Sequence, residues 1–374
     1  MPPRPHIVLA DDLTGAAEIA ACARQAGRRA LVLTRPPLAP VDADVLVLDT
    51  ATRLSTPAQA ARRLRAWVAT LVRLPHAGFF LKVDSVLRGP VLAKIAGATR
   101  ALDLSRVLLV SANPTLGRVI RDGRYFVGGV PLHETAFARD PHHPRTSSDP
   151  LALLGRPRGL PLVLGRAKAP ELPARGIVCG EASAIDDIRH WAGLLTADIL
   201  PVGGVDFFRA WLGARFRQPA RQPALRLYGP ALLLHGTTVT PADPGALFFQ
   251  ARRAPAVATI SAHLSLHGAA IVAAPVARLS SPGAPAAISR EFARIAVALK
   301  KKKHFQHLLI AGGATAADVL PALGWTTLEV LRVWAPGVVT LRPLAEPDAT
   351  VTLKPGSYDW PDELRDAMPS ELFN

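Results

Sequence analysis

Along most of this chain, short apolar runs alternate with longer stretches in which apolar residues recur every three or four positions. Runs of the first kind predict strands over 7–9, 30–33, 45–48, 79–83, 107–110, 162–164 and 177–178. The longer stretches predict helices over 16–25, ended by Gly27, and over 58–72, ended before Pro75. Strand, helix, strand in succession implies a parallel sheet. From 219 to 230 the sequence turns rich in Pro, Arg and Gln, which reads as a linker. A second alternating series then runs through 231–234, 269–273, 308–310, 338–341 and 351–353. The expectation is therefore α/β, two domains with mainly parallel sheets and a ligand site in the cleft between them. The N-terminal domain is expected over 1–218 and the C-terminal one over 231–374, joined by 219–230.

One segment breaks the rhythm. Between Ser111 and Pro150 there is little helical or strand periodicity, yet Tyr125, Phe126, Val130, Leu132 and Phe137 argue against disorder. It reads as an ordered loop packed over the strand ends, carrying His133 and Glu134 into a site. Glu134, Arg139 and Asp140 could equally pair with one another to hold the loop.

Composition changes this picture only in part. A hydrophobic share of 49% with 20% charged residues fits a globular chain with an ample core. Lys and Arg exceed Asp and Glu by 15, which favours anionic partners. The arginines, however, are scattered singly, as at Arg62, Arg65, Arg73 and Arg156, so a small anionic ligand is expected rather than nucleic acid. The concentrated run, Lys300 to Lys303, falls at the end of a helical pattern, where cations complement the macrodipole. His304 and His307 enter a strand and read as structural, not as metal ligands. Cys22 and Cys179 read as buried free thiols of a reducing compartment. No apolar run approaches membrane-spanning length and no signal-peptide order is visible, so a cytoplasmic location without membrane partners is expected.

The strand ends carry the chemistry. The run 7–9 passes straight into Asp11-Asp12-Leu13-Thr14-Gly15, and the run 79–83 into Asp84-Ser85-Val86-Leu87-Arg88-Gly89. Junctions of strand and helix are where open α/β sheets bind ligands. In the second half, Gly236-Thr237-Thr238, Gly312-Gly313-Ala314-Thr315 and Lys354-Pro355-Gly356 each follow a strand. Glycines there let backbone amides approach phosphate oxygens. No Gly-x-x-x-x-Gly-Lys-Ser/Thr run occurs, which excludes a P-loop kinase.

Together with Asp122-Gly123-Arg124-Tyr125 through Pro131-Leu132-His133-Glu134-Thr135 and Phe137-Ala138-Arg139-Asp140-Pro141, these motifs closely resemble the four-carbon acid sugar kinase family. The resemblance covers nearly the whole chain, more weakly after Pro219. It implies ATP-dependent phosphorylation of threonate, erythronate or a 3-oxo-tetronate, with sugar acid on the N-terminal domain and nucleotide on the C-terminal one. Magnesium is implied by the ATP chemistry, with no visible ligand set; a homodimer is allowed for.

The residues suit that role. A sugar acid needs a cation for its carboxylate and acceptors for its hydroxyls; Arg88, with Lys82, can supply the first and Asp11, Asp12 and Asp84 the second. Asp12 or Asp84 is expected to orient or deprotonate the attacking hydroxyl. Thr14, Ser85, Gly89, His133 and Glu134 complete the substrate set, although Asp12 or Thr14 could instead cap the following helix. Nucleotide is expected on Gly236, Thr237, Thr238, Gly312, Gly313, Ala314, Thr315 and Gly356. Family members usually carry an acidic residue where this chain has Ala314, so a non-catalytic relative that binds a sugar acid or its phosphate stands as the alternative.

Overall fold

The computed structural model describes residues 4–140, 142–157, 159–167, 172–213, 225–227, 229–236, 247–248, 257–273, 284–356, 359–368 and 372. The chain divides into two compact units, Met1–Arg28 with Arg35–Gln218, and Arg29–Thr34 with Pro219–Asn374. In the first unit, β1 (His6–Ala10) leads into α1 (Leu13–Gln25). The next strand, β2 (Ala30–Leu33), counts with the second unit, although it lies within the first stretch of sequence. The first unit resumes with β3 (Val45–Asp49), α2 (Pro57–Leu71), β4 (Gly78–Lys82), α3 (Val91–Leu102) and β5 (Arg106–Val110). After β6 (Arg118–Arg121), β7 (Arg124–Val127), β8 (Val130–Pro131) and α4 (Pro150–Leu154) come β9 (Leu162–Gly165), β10 (Gly176–Gly180), α5 (Ile185–Gly193), β11 (Ile199–Gly203) and α6 (Val205–Trp211).

Seven of these strands lie parallel in the order β3-β1-β4-β11-β5-β10-β9. The inner strands are apolar and buried at nearly every position, as a sheet covered on both faces requires. Strand β11 sits near the middle, yet Pro201 interrupts its sequence pattern; its pairing with β4 begins only at Val202, after the residue with no N–H to give. Helix α6 covers one face by stacking Phe207, Phe208 and Trp211 on Phe80, with ring centroids 5.4 to 5.9 Å apart. Local signals set the helix starts. Asp12 caps α1, and Thr56 with Gln59 forms a capping box on α2 with Pro57 at its first turn.

The segment between β5 and β9 is more regular than its sequence suggests. It contains a three-stranded antiparallel sheet, β6-β7-β8, joined at Asp122-Gly123 and Gly128-Gly129. All four turn residues have positive φ (49°, 73°, 58° and 83°), the geometry of tight hairpins matched to strand twist. Strands this short carry no readable alternation, so the turns were the legible signal.

The second unit contains β12 (Ala231–His235), β13 (Leu247–Phe248), α7 (Val257–His267), β14 (Ala269–Ala273), α8 (Ala284–Lys301), β15 (His307–Ala311), α9 (Gly313–Ala322), β16 (Thr327–Ala335), β17 (Val338–Pro343), β18 (Thr350–Lys354) and α10 (Asp362–Arg365). Its sheet order is β13-β14-β12-β15-β18-β17-β16-β2. Pairing is parallel as far as β18 and antiparallel from there to β2, with β16 and β17 turning at Pro336-Gly337. Lys300, in the last turn of α8, pairs with Glu346 at 2.5 Å and lies over the Trp325 ring. His304 meets Ser261 and His307 meets Thr350. Both cysteines are free and buried. No described helix is long and apolar enough to cross a membrane.

Helices α2 and α3 approach through Gly97, where an added Cβ would lie 2.3 Å from the Ala61 carbonyl oxygen. Gly97→Ala is therefore expected to cost about 1–3 kcal/mol by forcing backbone apart. Gly193→Ala, at a helical position with open space, should be neutral or stabilising by up to about 1 kcal/mol. Urea denaturation of the two variants checks this; equal stabilities would contradict the close-packing argument.

Candidate functional site

Strand β1 has β3 on one side and β4 on the other, and the chain crosses between those sides, so its C-terminal end is a topological switch point. Three strand ends meet there. Beyond β3, the N–H groups of Thr52 and Arg53 both donate to the Asp11 carbonyl, at 2.9 and 3.0 Å, through a turn in which Ala51 has φ 46°. This pins the Arg53 backbone beside Asp11 and Asp12. Its Nη2 donates to Asp11 Oδ1 (2.8 Å) and Asp12 Oδ1 (2.9 Å), its Nη1 to Asp12 Oδ2 (2.6 Å), and Nη2 lies 3.8 Å from Asp84 Oδ2. Gly89, with φ 80°, allows the approach: a Cβ there would stand 2.8 Å from the Arg53 carbonyl oxygen.

Further charges close the cluster. Lys94, wholly buried in α3, donates to Asp11 Oδ2 at 2.6 Å. Lys82 faces Glu18 at 3.1 Å. Arg88 spans two carboxylates, with Nε and Nη2 on Asp84 (3.0 and 2.8 Å) and Nη1 on Asp140 (2.9 Å). Asp84 also accepts from the N–H groups of Val86 and Arg88, which closes a turn in which Leu87 has φ 62°. The β6-β8 sheet leans on the same turn: Arg118 donates to Ser85 Oγ, and Tyr125 Oη donates to the Ser85 carbonyl at 2.5 Å.

These contacts separate the four aspartates by charge state. Burial opposes ionisation of Asp11, but Arg53 and Lys94 overcome it and hold the carboxyl at about 2. Burial likewise opposes Asp84, and Arg53 and Arg88 hold it well below the usual carboxylate range. Asp12 goes the other way: burial and the adjacent Asp11 charge push it up, Arg53 only partly compensating because it is shared. Burial also pushes Asp49, at the end of β3, up to about 7; its visible hydrogen bond comes from the Ala51 N–H.

Of the residues expected at this site, Asp11, Asp12, Lys82, Asp84, Ser85, Arg88 and Gly89 converge. Asp12 also accepts from the Gly15 N–H at 2.8 Å, so it caps α1 and joins the cluster at once. Thr14 stands in the first turn of α1, half-buried, with no hydrogen bond among the described residues. Arg88 was expected to receive a substrate carboxylate, but its guanidinium is already spanned by Asp84 and Asp140. His133 and Glu134 face each other at 3.6 Å on an exposed turn, and His133 Nδ1 meets Ser148. Sequence reasoning missed Arg53, Lys94 and Glu18; the arginine and lysine belong to no motif, and only strand pairing reveals them.

In the second unit, β12, β15 and β18 are neighbours, so Gly236, Gly312 and Gly356 lie at or just beyond three adjacent strand ends. A Cβ on Gly236 would stand 2.0 Å from Thr315 Oγ1, and Gly312, with φ 115°, precedes the first turn of α9. Thr315 thus fills the space beside Gly236, and the N-terminus of α9, which no side chain caps, is the part suited to phosphate oxygens. Gly313 and Ala314 open that helix, with Ala314 exposed and Thr315 buried. Lys354, buried at the end of β18, lies with its Nζ 5.2 Å from the centre of the Trp360 ring. Thr237 and Thr238 lie outside the described residues. No group of three or more His, Cys, Asp or Glu side chains among the described residues could hold a metal ion.

Comparison with known proteins finds two family matches along the chain. Residues 6–166 match the family described as a sugar-binding N-terminal domain, and residues 246–358 the family described as a nucleotide-binding C-terminal domain. A D-threonate kinase of Salmonella typhimurium is 36% identical over 147 residues, covering 38% of this chain and 34% of the relative. A D-threonate kinase of Bordetella bronchiseptica is 30% identical over 235 residues, 58% of either chain. A D-erythronate kinase of Heliobacterium modesticaldum is 30% identical over 143 residues, covering 37% of this chain and 33% of the relative. The chain thus matches between one third and three fifths of these relatives' lengths. A solved Haemophilus influenzae structure shares the fold, with a TM-score of 0.73 at 19% identity over 98% of this chain and 100% of that one.

The Asp49 carboxyl gives this site a pH signature. Its folded value of about 7 lies above the unfolded value of about 3.9, so between those limits the folded state holds more protons and this group's contribution to stability falls as pH rises. Asp49→Asn keeps the acceptor for Ala51 and removes the titration. Relative to the parent, the variant should gain stability from pH 4 to about 7, by at most about 4 kcal/mol, and change no further above that. A difference in denaturation midpoint that stays constant across the window would contradict the assignment.

Proposed function

We propose that this chain, which belongs to the four-carbon acid sugar kinase family, is an ATP-dependent kinase that phosphorylates a hydroxyl of a small sugar acid. The observation that carries the reading is the division of labour at the β1 end. Both carboxylates that could serve the attacking hydroxyl are hydrogen-bonded, Asp84 to Arg88 and two backbone N–H groups and Asp12 to Arg53 and the Gly15 N–H, but Asp12 is the one about one quarter exposed and with its carboxyl pushed up. Asp12 is therefore the general base, and Asp84 positions Arg88 and supports Arg53. Asp11, fully buried between Arg53 and Lys94, keeps Arg53 charged and fixed. Thr14, whose hydroxyl is uncommitted, and the strand-end backbone supply further partners for substrate hydroxyls.

The nucleotide would lie on Gly236, Gly312, Gly313 and Thr315, with Gly356 at the third strand end and Ala314 beside it. The N-terminus of α9, which no side chain caps, fits a phosphate oxygen, which supports ATP as the donor. When bound, ATP supplies the phosphoryl group, and a magnesium ion carried on its phosphates neutralises charge during transfer. The transfer is direct and in line. The substrate class follows from the relatives named for D-threonate and D-erythronate.

Purified protein with ATP, magnesium and a panel of D-threonate, D-erythronate and 3-oxo-tetronate is expected to release ADP only when an acid is present. Asp12→Asn should lower kcat by about 100- to 10,000-fold while calorimetry still detects the acid. Because the base must be ionised, kcat should fall as pH drops through the raised Asp12 value. Full activity in Asp12→Asn, or ADP release indifferent to the acid, would contradict the reading.

A further inference from the structure

Among the cations that contact the turns at the ends of β1 and β4, one has no carboxylate partner among the described residues. Arg53 faces Asp11, Asp12 and Asp84; Lys82 faces Glu18; Arg88 faces Asp84 and Asp140; Lys94 faces Asp11. Each of these positive groups is already neutralised within the protein. Arg63, in α2, and Arg145, in the segment after β8, spend their guanidinium groups on the carbonyls of Thr50 and Ala51, and of His143 and Leu87, respectively. Arg118 differs from all of them. Its side chain meets only the neutral Ser85 hydroxyl and the face of Phe137 among the described residues, and it has no carboxylate partner.

Arg118 is also held in place. Its backbone exchanges two hydrogen bonds with Asn113, at 2.7 and 3.0 Å, just past the end of β5, and Asn113 Oδ1 in turn accepts from the Asp206 N–H. The Arg118 and Arg88 guanidinium groups both lie over the Phe137 ring, 5.6 and 5.5 Å from its centre. A planar cation fixed at its root, stacked on one face and bonded through one Nη to Ser85 still presents most of its five donors, and it is only partly buried.

We propose that Arg118 binds the carboxylate of the sugar-acid substrate and so sets the preference for acids over neutral sugars, with Phe137 as the positioning residue. This rests on the sugar-acid reading above and gives Arg88 a structural task in place of the carboxylate-binding one its sequence suggested. The physical ground is that a guanidinium already shared by two internal carboxylates would have to surrender one of them to take a third. Arg118 surrenders nothing. A charge-assisted bidentate pair there would favour the ionised acid over the matching polyol by roughly 10- to 100-fold.

The test compares D-threonate with threitol, the neutral four-carbon polyol, by calorimetry on the parent, Arg118→Gln and Arg118→Lys. Arg118→Gln should weaken threonate by roughly 10- to 100-fold and leave threitol unchanged, so that the preference for the acid disappears; Arg118→Lys should restore part of it. Thermal melting confirms that each variant is folded. Unchanged threonate affinity in Arg118→Gln, or an equal loss for both ligands, would overturn the assignment while leaving the kinase reading in place. A parent protein that takes none of the four-carbon acids would overturn both.

Discussion

One guanidinium shared among three carboxylates holds the first unit's site together. Arg53, from the end of β3, reaches Asp11 and Asp12 at the end of β1 and approaches Asp84 at the end of β4. Separately, each of these buried charges would be costly to remove from water; together, with Lys94 and Arg88, they satisfy one another. Sharing is also what makes the carboxylates unequal. Two cations each keep Asp11 and Asp84 ionised, while burial and the neighbouring Asp11 charge outweigh Arg53 at Asp12 and raise its proton affinity. On the proposed reading, the base is the carboxylate that the network leaves with the higher proton affinity.

The same logic explains the backbone around the network. Ala51 and Leu87 occupy the left-handed region without being glycines, and both lie in turns that aim cluster side chains. Gly89 and Gly15 are glycines for a different reason: a Cβ would press on the Arg53 carbonyl at the first and on Asp12 Oδ1 at the second. In the second unit the charges give way to backbone. Gly236 and Gly312 close the ends of neighbouring strands against Thr315, with their own N–H groups bonded to Ala311 and Lys354, and leave the uncapped N-terminus of α9 rather than charged side chains to meet an anion. Cations and acceptors suit a sugar acid; amides suit phosphates.

Much of this was legible in the sequence because strand-end motifs are contiguous. Asp11, Asp12, Lys82, Asp84 and Arg88 announce themselves as polar residues closing apolar runs. Arg53 does not, because it stands four residues past Asp49 in an arginine-rich chain and acquires meaning only when β1 pairs with β3. Lys94 reads as an ordinary helical lysine until Asp11 is found beneath it. Strand β11 was hidden by Pro201, and the β6-β8 sheet by strands too short to alternate, although Asp122-Gly123 and Gly128-Gly129 carried the turn signal. Charge partners depend on tertiary pairing, which composition and period cannot report.

Arg53→Lys tests the shared-guanidinium account most directly, since lysine keeps the charge and loses the planar fork that joins Asp11 to Asp12. Calorimetric titration with D-threonate is expected to show affinity reduced by roughly 100-fold, together with a lower melting temperature, while ATP binding is unaffected. A variant that binds the acid as tightly as the parent would show that the network is scaffolding and that the sugar-acid site lies elsewhere.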